Sequence, residues 1–526
     1  MTSSSLLGIT SLAVVVLLIY RFLVYPTCVS PLSKVPAAHL TASWSPLWIL
    51  WIRYTRGEVQ TIHEAHRKFG PLVRLGPNEV SINCVDGGLR TVYAGAFDKP
   101  FFYDQFRNYG ISNMFSTKES KPHAARKRLL SHVYSKSCVQ SSPELYDATR
   151  IILHHRLLPS LDSFATQGLS LEALGLNYAV TMDFVSSYLF GLSSENNFIQ
   201  DVEMRKRFLS WHFKRSEHAF WDQEIPRVTQ WLQRIGVHLV PRWVDAANAN
   251  IQSYVLHLCR AAEQSIKAAS DHDDEKAHGT RPVVYSQLTD ALKRAPVKAE
   301  GQKGGGGAEA DELPVASEML DHLIAGMDTS AITLTYLLWE MSRHAELQAS
   351  LRKEVCTLSP SLAIGNDSGV PSARSLDALP LLHAVVMETL RLHCPIPGSQ
   401  PRQTPSKPTS IVGSPPLPGG VRVSAQAYSL HRNENVFSDP EAWVPQRWLD
   451  APPQTKDEMA RWFWAFGSGG RMCVGRNFAM QELKYVTAAV YTNFTTTVVD
   501  DTGIEQEDGY TAGPRGNQLT LKFTRV

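Results

Sequence analysis

The sequence predicts a mainly α-helical protein with small β-sheets, tethered by an N-terminal membrane anchor. Three observations lead there. Residues 60–350 place apolar side chains at three-and-four spacing through most of their length, the period of helices with one buried face. Alternation of the strand kind is confined to short runs at Leu72–Ile82, Val421–Tyr428 and Gln518–Phe523. Leu6–Tyr20 carries no charge, and continued to Tyr25 the run reaches 20 residues, roughly 30 Å of helix and enough for a bilayer core.

The anchor follows from where the charges lie. A cleaved signal peptide opens on a basic region, whereas residues 1–20 contain no Lys or Arg and no small-x-small cleavage site follows. Arg21 can snorkel to the interface. Arg21, Lys34, Arg53 and Arg56 all follow the span, which puts the bulk of the chain on the cytoplasmic side. Residues 1–25 are thus expected to be a single-pass anchor. Residues 26–43 are expected to be a stiff, extended connector, because Pro26, Pro31 and Pro36 each fix φ and lack a donor. Residues 44–526 remain as the body of the protein. The three tryptophans of Trp44–Tyr54 suggest a second membrane contact.

The 526 residues would accommodate about three domains of ~150 residues. Lys and Arg number 52 against 50 Asp and Glu, a balance that excludes a nucleic-acid binder with a basic face. Seven cysteines, odd in number and without a C-x-x-C pair, exclude a disulfide scaffold and a zinc ribbon. One composition break is plain. Residues 270–312 are polar and partly glycine-rich around a short helical stretch, Val283–Arg294, and read as a surface loop region. Their four consecutive glycines lack a following Lys-Ser/Thr, so they are not a phosphate-binding loop. Neither G-x-S-x-G nor H-E-x-x-H occurs. The glycosylation sequons at Asn366 and Asn493 are expected to be unoccupied in the cytosol.

The most informative stretch is Phe466-Gly-Ser-Gly-Gly-Arg-Met-Cys473-Val-Gly475, which leads into the helix-like run NFAMQELKYVTAAVYTNF. Glycines let the backbone approach a flat ligand and turn N–H groups toward one atom. Several N–H groups and a helix N-terminus beside a sulfur stabilise a thiolate. A lone thiolate suits haem iron, which accepts a single protein ligand, and not zinc, which takes three or four. Phe466, Gly469, Arg471, Cys473 and Gly475 resemble the F-x-x-G-x-R-x-C-x-G loop of the cytochrome P-450 family. The resemblance implies haem b (iron protoporphyrin IX) with Cys473 as axial iron ligand, Arg471 on a propionate and Phe466 beside the loop. Electron donation from the sulfur would favour O–O cleavage.

Residues 315–342 form an amphipathic helix with Ala325-Gly326-Met327-Asp328-Thr329-Ser330 at its middle. A glycine there costs ~1 kcal/mol against alanine, so it usually has a packing or functional reason. The segment resembles the family's oxygen-side helix, A/G-G-x-D/E-T-T/S. By that resemblance Ala325 and Gly326 leave room for O2, Thr329 holds a water by hydrogen bonding and Asp328 relays protons.

Glu388-Thr-Leu-Arg391 matches the family's E-x-x-R, a pattern that occurs four more times in the chain. Position singles it out, in an apolar helix between the oxygen-side helix and the cysteine loop. Pro445-Gln-Arg447-Trp448 resembles P-E-R-F, and the resemblance makes Glu388, Arg391 and Arg447 a buried structural network. Two propionates need cations. The family commonly places one at Arg402. His123-Ala-Ala-Arg-Lys127-Arg128 resembles the W-x-x-x-R helix, which leaves Lys127 and Arg128 both open as the propionate partner.

The resemblance spans essentially the whole chain and implies one large P-450-type haem domain, closest to fungal microsomal members serving secondary metabolism. It implies a monooxygenase in the endoplasmic reticulum membrane with the catalytic domain cytosolic. Its substrates would be O2 and an apolar small molecule, terpenoid or polyketide-derived. Electrons would come from NADPH through a separate flavoprotein reductase, docked partly by Arg471, Arg476 and Lys484. The alternatives are a reductase-independent isomerase or dehydratase, against which Thr329 speaks, and a non-catalytic haem-binding protein. Phe101–Phe115 and Ser210–Trp221, both aromatic-rich, are expected to shape the substrate pocket.

Overall fold

The computed structural model describes residues 3–192, 196–271, 281–294, 308–366 and 368–526. It is mainly helical with two small sheets. Seven strands occur among the described residues: β1 (Leu72–Gly76), β2 (Glu79–Ile82), β3 (Ser170–Glu172), β4 (Arg402–Gln403), β5 (Arg422–Ser424), β6 (Phe494–Asp500) and β7 (Thr520–Arg525). The first sheet has the order β1-β2-β5-β4, with β2 and β5 parallel. The second, β3-β7-β6, is antiparallel. The strand expected over Val421–Tyr428 stops at Ser424, and Ala427–His431 is helical.

Ser3–Ile19 is an α-helix that runs on with wider turns through Tyr20–Val29. Ile9–Val29 is long and apolar enough to cross a membrane, and only 6 % of it is buried in the protein. The connector after it is not extended. Pro26 sits inside the helical segment, and Pro31–Lys34 is a 3-10 turn capped by the Ser30 hydroxyl. Arg74 on β1 explains the difference. Its buried guanidinium donates to Pro26 O at 2.8 Å and to Ser43 O at 3.0 Å, tying both ends of the connector to the sheet. Leu32 and Val35 are buried in the same packing.

The main core is organised around the central helix, Ala308–Ser342. It packs along Ala173–Phe190, a helix buried on every side. Asn177 Nδ2 donates to Thr335 Oγ1 at 2.9 Å and Thr181 Oγ1 to Met327 O at 2.9 Å, so the polar groups in this contact are satisfied. Of the polar 270–312 region, Val283–Arg294 is helical as expected, while 272–280 and 295–307 lie outside the described residues. Asn493 is buried, with its amide donating to Leu362 O at 2.8 Å, which leaves no room for a glycan.

Candidate active site

One cavity is lined both by Ala325, Gly326 and Thr329 of the central helix and by Phe466, Arg471, Cys473 and Gly475 of the cysteine loop. The loop closes on itself where Cys473 N–H donates to Phe466 O at 2.9 Å. Gly469 takes φ of 69°, and a Cβ there would lie 2.3 Å from Tyr93 O, so close backbone approach requires this glycine. Cys473 opens onto the cavity although protein surrounds it deeply. Burial pushes its thiol up. The N–H groups of Gly475 and Arg476, at the start of helix Arg476–Asn493, and the charges of Lys127 and Arg476 favour the thiolate.

Cations gather on the same cavity. Arg402 donates to Tyr103 Oη at 2.8 Å, and Arg471 Nη1 to Thr117 O at 2.8 Å with Nη2 on Lys118 O. Lys127 donates to Gly470 O at 3.1 Å and Met472 O at 2.8 Å, while Arg128 is exposed and does not line the cavity. Sequence reasoning missed Lys99. It is buried, hydrogen-bonded to Phe115 O, and stacked 4.0 Å from the Phe115 ring. Burial lowers the Arg471 pKa to about 10 and that of Lys99 well below its usual value, with Arg402 adding repulsion to both. His123 also lines the cavity, and burial beside Arg471, Lys99 and Lys127 pulls it down to about 3, so it is neutral. Among the described residues, no carboxylate lies within ion-pair distance of Lys99, Lys127, Arg402 or Arg471. Arg471 Nε is buried without a hydrogen-bond partner. Such a ring fits a flat ligand bearing two carboxylates over a cysteine sulfur.

A model of the cytochrome P-450 family matches residues 41–521. The chain belongs to the cytochrome P-450 family. Membership implies a haem-thiolate cofactor, and the cation ring and Cys473 fit that group. Cytochrome P-450 monooxygenase avaI of Aspergillus versicolor is 30 % identical over 80 % of this chain and 94 % of its own length. The monooxygenase tazI of Aspergillus terreus is 27 % identical over 97 % of this chain and 98 % of its own. Benzoate 4-monooxygenase bphA of Aspergillus niger is 28 % identical over 93 % of each. The chain is accordingly an enzyme of the P-450 monooxygenase class.

Within this P-450, Thr329 faces the cavity and donates to Ala325 O at 2.8 Å. Asp328 turns the other way. It is buried against Tyr178, whose hydroxyl donates to Oδ1 at 2.8 Å, and His212, 3.3 Å away. Burial alone would raise its pKa, but His212, Tyr178 and Thr511 together hold it below the usual range. A Cβ on Gly326 would meet Val185 Cγ2 at 2.7 Å, so helix packing as well as cavity space needs glycine there.

Glu388, Arg391 and Arg447 form one buried cluster. Arg391 grips Glu388 through Nε–Oε2 at 2.9 Å and Nη2–Oε1 at 2.8 Å, and Arg447 Nε reaches Oε1 at 3.0 Å. Trp448 Nε1 and Val444 N–H complete the carboxylate, each at 2.9 Å. Two expectations need correction. Lys484 is buried and paired with Asp377 at 2.6 Å, and Arg471 points at the cavity, so of the three proposed docking cations only Arg476 is exposed. No residue of Ser210–Trp221 lines the cavity: Phe220 and Trp221 pack on Tyr54, and His212 on Asp328. From Phe101–Phe115 only Met114 and Phe115 reach it, because Phe102, Tyr103 and Phe106 cluster with one another and pack against Tyr510, which itself lines the cavity.

Proposed function

We propose a membrane-anchored haem-thiolate monooxygenase that inserts one oxygen atom of O2 into an apolar small molecule and reduces the other to water. The substrate is a terpenoid or polyketide-derived intermediate of fungal secondary metabolism. The cofactor is haem b, and electrons come from NADPH through a separate flavoprotein reductase, with the catalytic domain on the cytosolic face of the endoplasmic reticulum. The observation that carries this is a cysteine sulfur and four unpaired cations on one mainly apolar cavity. When bound, the haem supplies dioxygen activation. This chain's residues do the rest. Cys473 would supply the thiolate that holds the iron, and Arg402, Arg471, Lys99 and Lys127, with neutral His123, would hold the propionates. Thr329 orients water at the oxygen side, and Asp328 passes protons inward from the Tyr178–His212 side. Glu388, Arg391 and Arg447 hold the loop.

The test is the carbon monoxide difference spectrum of the reduced full-length protein beside Cys473→Ala. A strongly red-shifted Soret band that vanishes in the variant supports the reading. A histidine-type spectrum unchanged in the variant takes Cys473 off the iron and overturns it.

A further inference from the structure

The charged side chains on the cavity wall do not balance. Four are cations, Lys99, Lys127, Arg402 and Arg471, and one is an acid, Asp321. Burial pushes Asp321 up to about 7, so near neutral pH it carries only part of a charge. The acids nearby do not redress this. Glu318 pairs with Arg126 at 3.4 Å, and Asp98, which acts on Arg471, is exposed and does not line the cavity. A haem adds two carboxylates, while the charges of ferric iron, porphyrin and one thiolate cancel. Four cations against two carboxylates leave two positive charges, of which Asp321 offsets at most one.

Lys99 is where the surplus meets the central helix. Its ammonium spends one N–H on Phe115 O at 2.5 Å and lies 4.0 Å from the Phe115 ring and 4.1 Å from the Tyr103 ring. Asp321 of the central helix attracts it, and Arg402 and Arg471 repel it. Carboxylates brought beside Arg402 and Arg471 cancel that repulsion, which leaves burial as the force opposing the charge. A buried cation is costly unless an anion pairs with it. Two of its N–H groups are free to do so. The wall around them is otherwise rich in apolar side chains, among them Val185, Leu390, Ile396 and Leu483. A hydrocarbon suits that wall and leaves the charge unpaired, whereas a carboxylate on an apolar body meets both.

We propose that the substrate is an acid, a single carboxylate on an apolar body, and that Lys99 is its counter-ion in the cavity. The inference rests on the monooxygenase reading for calling the ligand a substrate. A haem carboxylate and a substrate carboxylate offer Lys99 the same chemistry. The two sources differ in what the loaded protein binds: with Lys99 fully engaged by the haem, an acid gains nothing over its neutral isostere.

The experiment uses matched probes, 2-naphthoate and its neutral isostere 2-acetonaphthone, with the full-length haem-loaded protein. Dissociation constants come from calorimetry, and the spin-state change of the haem is recorded in parallel. The wild type should bind the acid about tenfold more tightly than the ketone, the scale of one charge-assisted hydrogen bond. Lys99→Met should bring the ratio to about one, and Lys99→Arg, which keeps the charge, should retain most of it. Lys99→Gln is the second neutral variant, should the methionine variant load no haem. Equal wild-type affinity for the two probes overturns the proposal and leaves Lys99 to the haem carboxylates. A ratio that the neutral variants do not lower overturns it as well. Calorimetry reads these ratios without any assumption about the iron ligand. Absence of the thiolate carbon monoxide signature would therefore count against the functional reading alone, and absence of discrimination against this inference alone.

Discussion

His431 ties the charged network to the cysteine loop through both nitrogens of one ring. Trp464 N–H donates to Nε2 at 2.7 Å, so the ring proton sits on Nδ1 and is donated to Arg391 O at 2.8 Å. Burial lowers its pKa to about 3, with Arg391 and Arg432 repelling the charged form and the bond to Arg391 O partly opposing them. An unfolded histidine titrates near 6.5, so as pH falls below that value the unfolded chain binds a proton that the folded one refuses. Stability is therefore present above about pH 6.5 and lost as pH falls toward 3. His431 alone should remove about 1.4 kcal/mol between about pH 7.5 and 5.5. His66, His123 and His383, lowered to about 4, 3 and 4 by burial, add to the total slope. Urea titrations at the two pH values isolate the one residue: His431→Gln should flatten the pH dependence by that amount relative to wild type. An identical pH dependence in the variant would show that the imidazole is not held neutral.

At the scale of elements, the contact between the central helix and Ala173–Phe190 depends on Gly326. Alanine there gains ~1 kcal/mol of helix propensity, yet its Cβ would press on a stiff valine methyl at 2.7 Å, and overpacking costs about 1–3 kcal/mol. Gly326→Ala should therefore be net destabilising by about 1 kcal/mol in wild type and stabilising in a Val185→Ala background. The difference between the two, read from melting curves, is the coupling of these helices, and additivity would refute it. Glu388→Gln is the severer change. It leaves Arg391 and Arg447 buried without their carboxylate and should cost about 3–5 kcal/mol, with the cysteine loop losing its support and haem retained poorly after gel filtration. Full retention would mean that the loop stands without the network. These elements were legible in the sequence because each is local: ten residues of loop, a helix of one period, a Glu and Arg one turn apart. What escaped comes from remote chain. Lys99 meets Arg471 only in the fold. His212 and Tyr178 reach Asp328 from two other helices, and β4 is two residues whose strand character is supplied by β5. Lys484 looked like a surface cation until Asp377 was brought to it.

Across the whole molecule, the N-terminal apolar helix, long enough to cross a membrane, is one of several outward-facing apolar surfaces among the described residues. Leu40, Trp44, Leu47 and Trp51 are exposed in and before the helix Leu47–Tyr54, and Val228, Trp231 and Ile235 are exposed along and just after Pro226–Arg234. The two groups are neighbours. Tyr54 packs on Phe220 and Trp221 at 5.3 and 5.6 Å, and Glu224 joins Arg53 at 3.0 Å and Arg422 at 2.8 Å in a cluster completed by Glu58 and Glu79. This buried ion cluster fixes the two tryptophan-bearing segments side by side, one of them just beyond the connector that follows the N-terminal apolar helix and the other brought to it from far along the chain. Tryptophan favours the headgroup depth, where its ring is apolar and its N–H remains bonded. A chain lacking residues 1–29 should consequently still float with phosphatidylcholine vesicles. Trp51→Ser and Trp231→Ser in that truncated chain should each weaken binding by roughly an order of magnitude, about 1–2 kcal/mol of lost apolar burial. If truncation alone releases the protein, the anchor carries all of the membrane affinity. If the truncated chain floats and the double tryptophan variant floats equally well, another surface holds it, and the apolar face has a different partner.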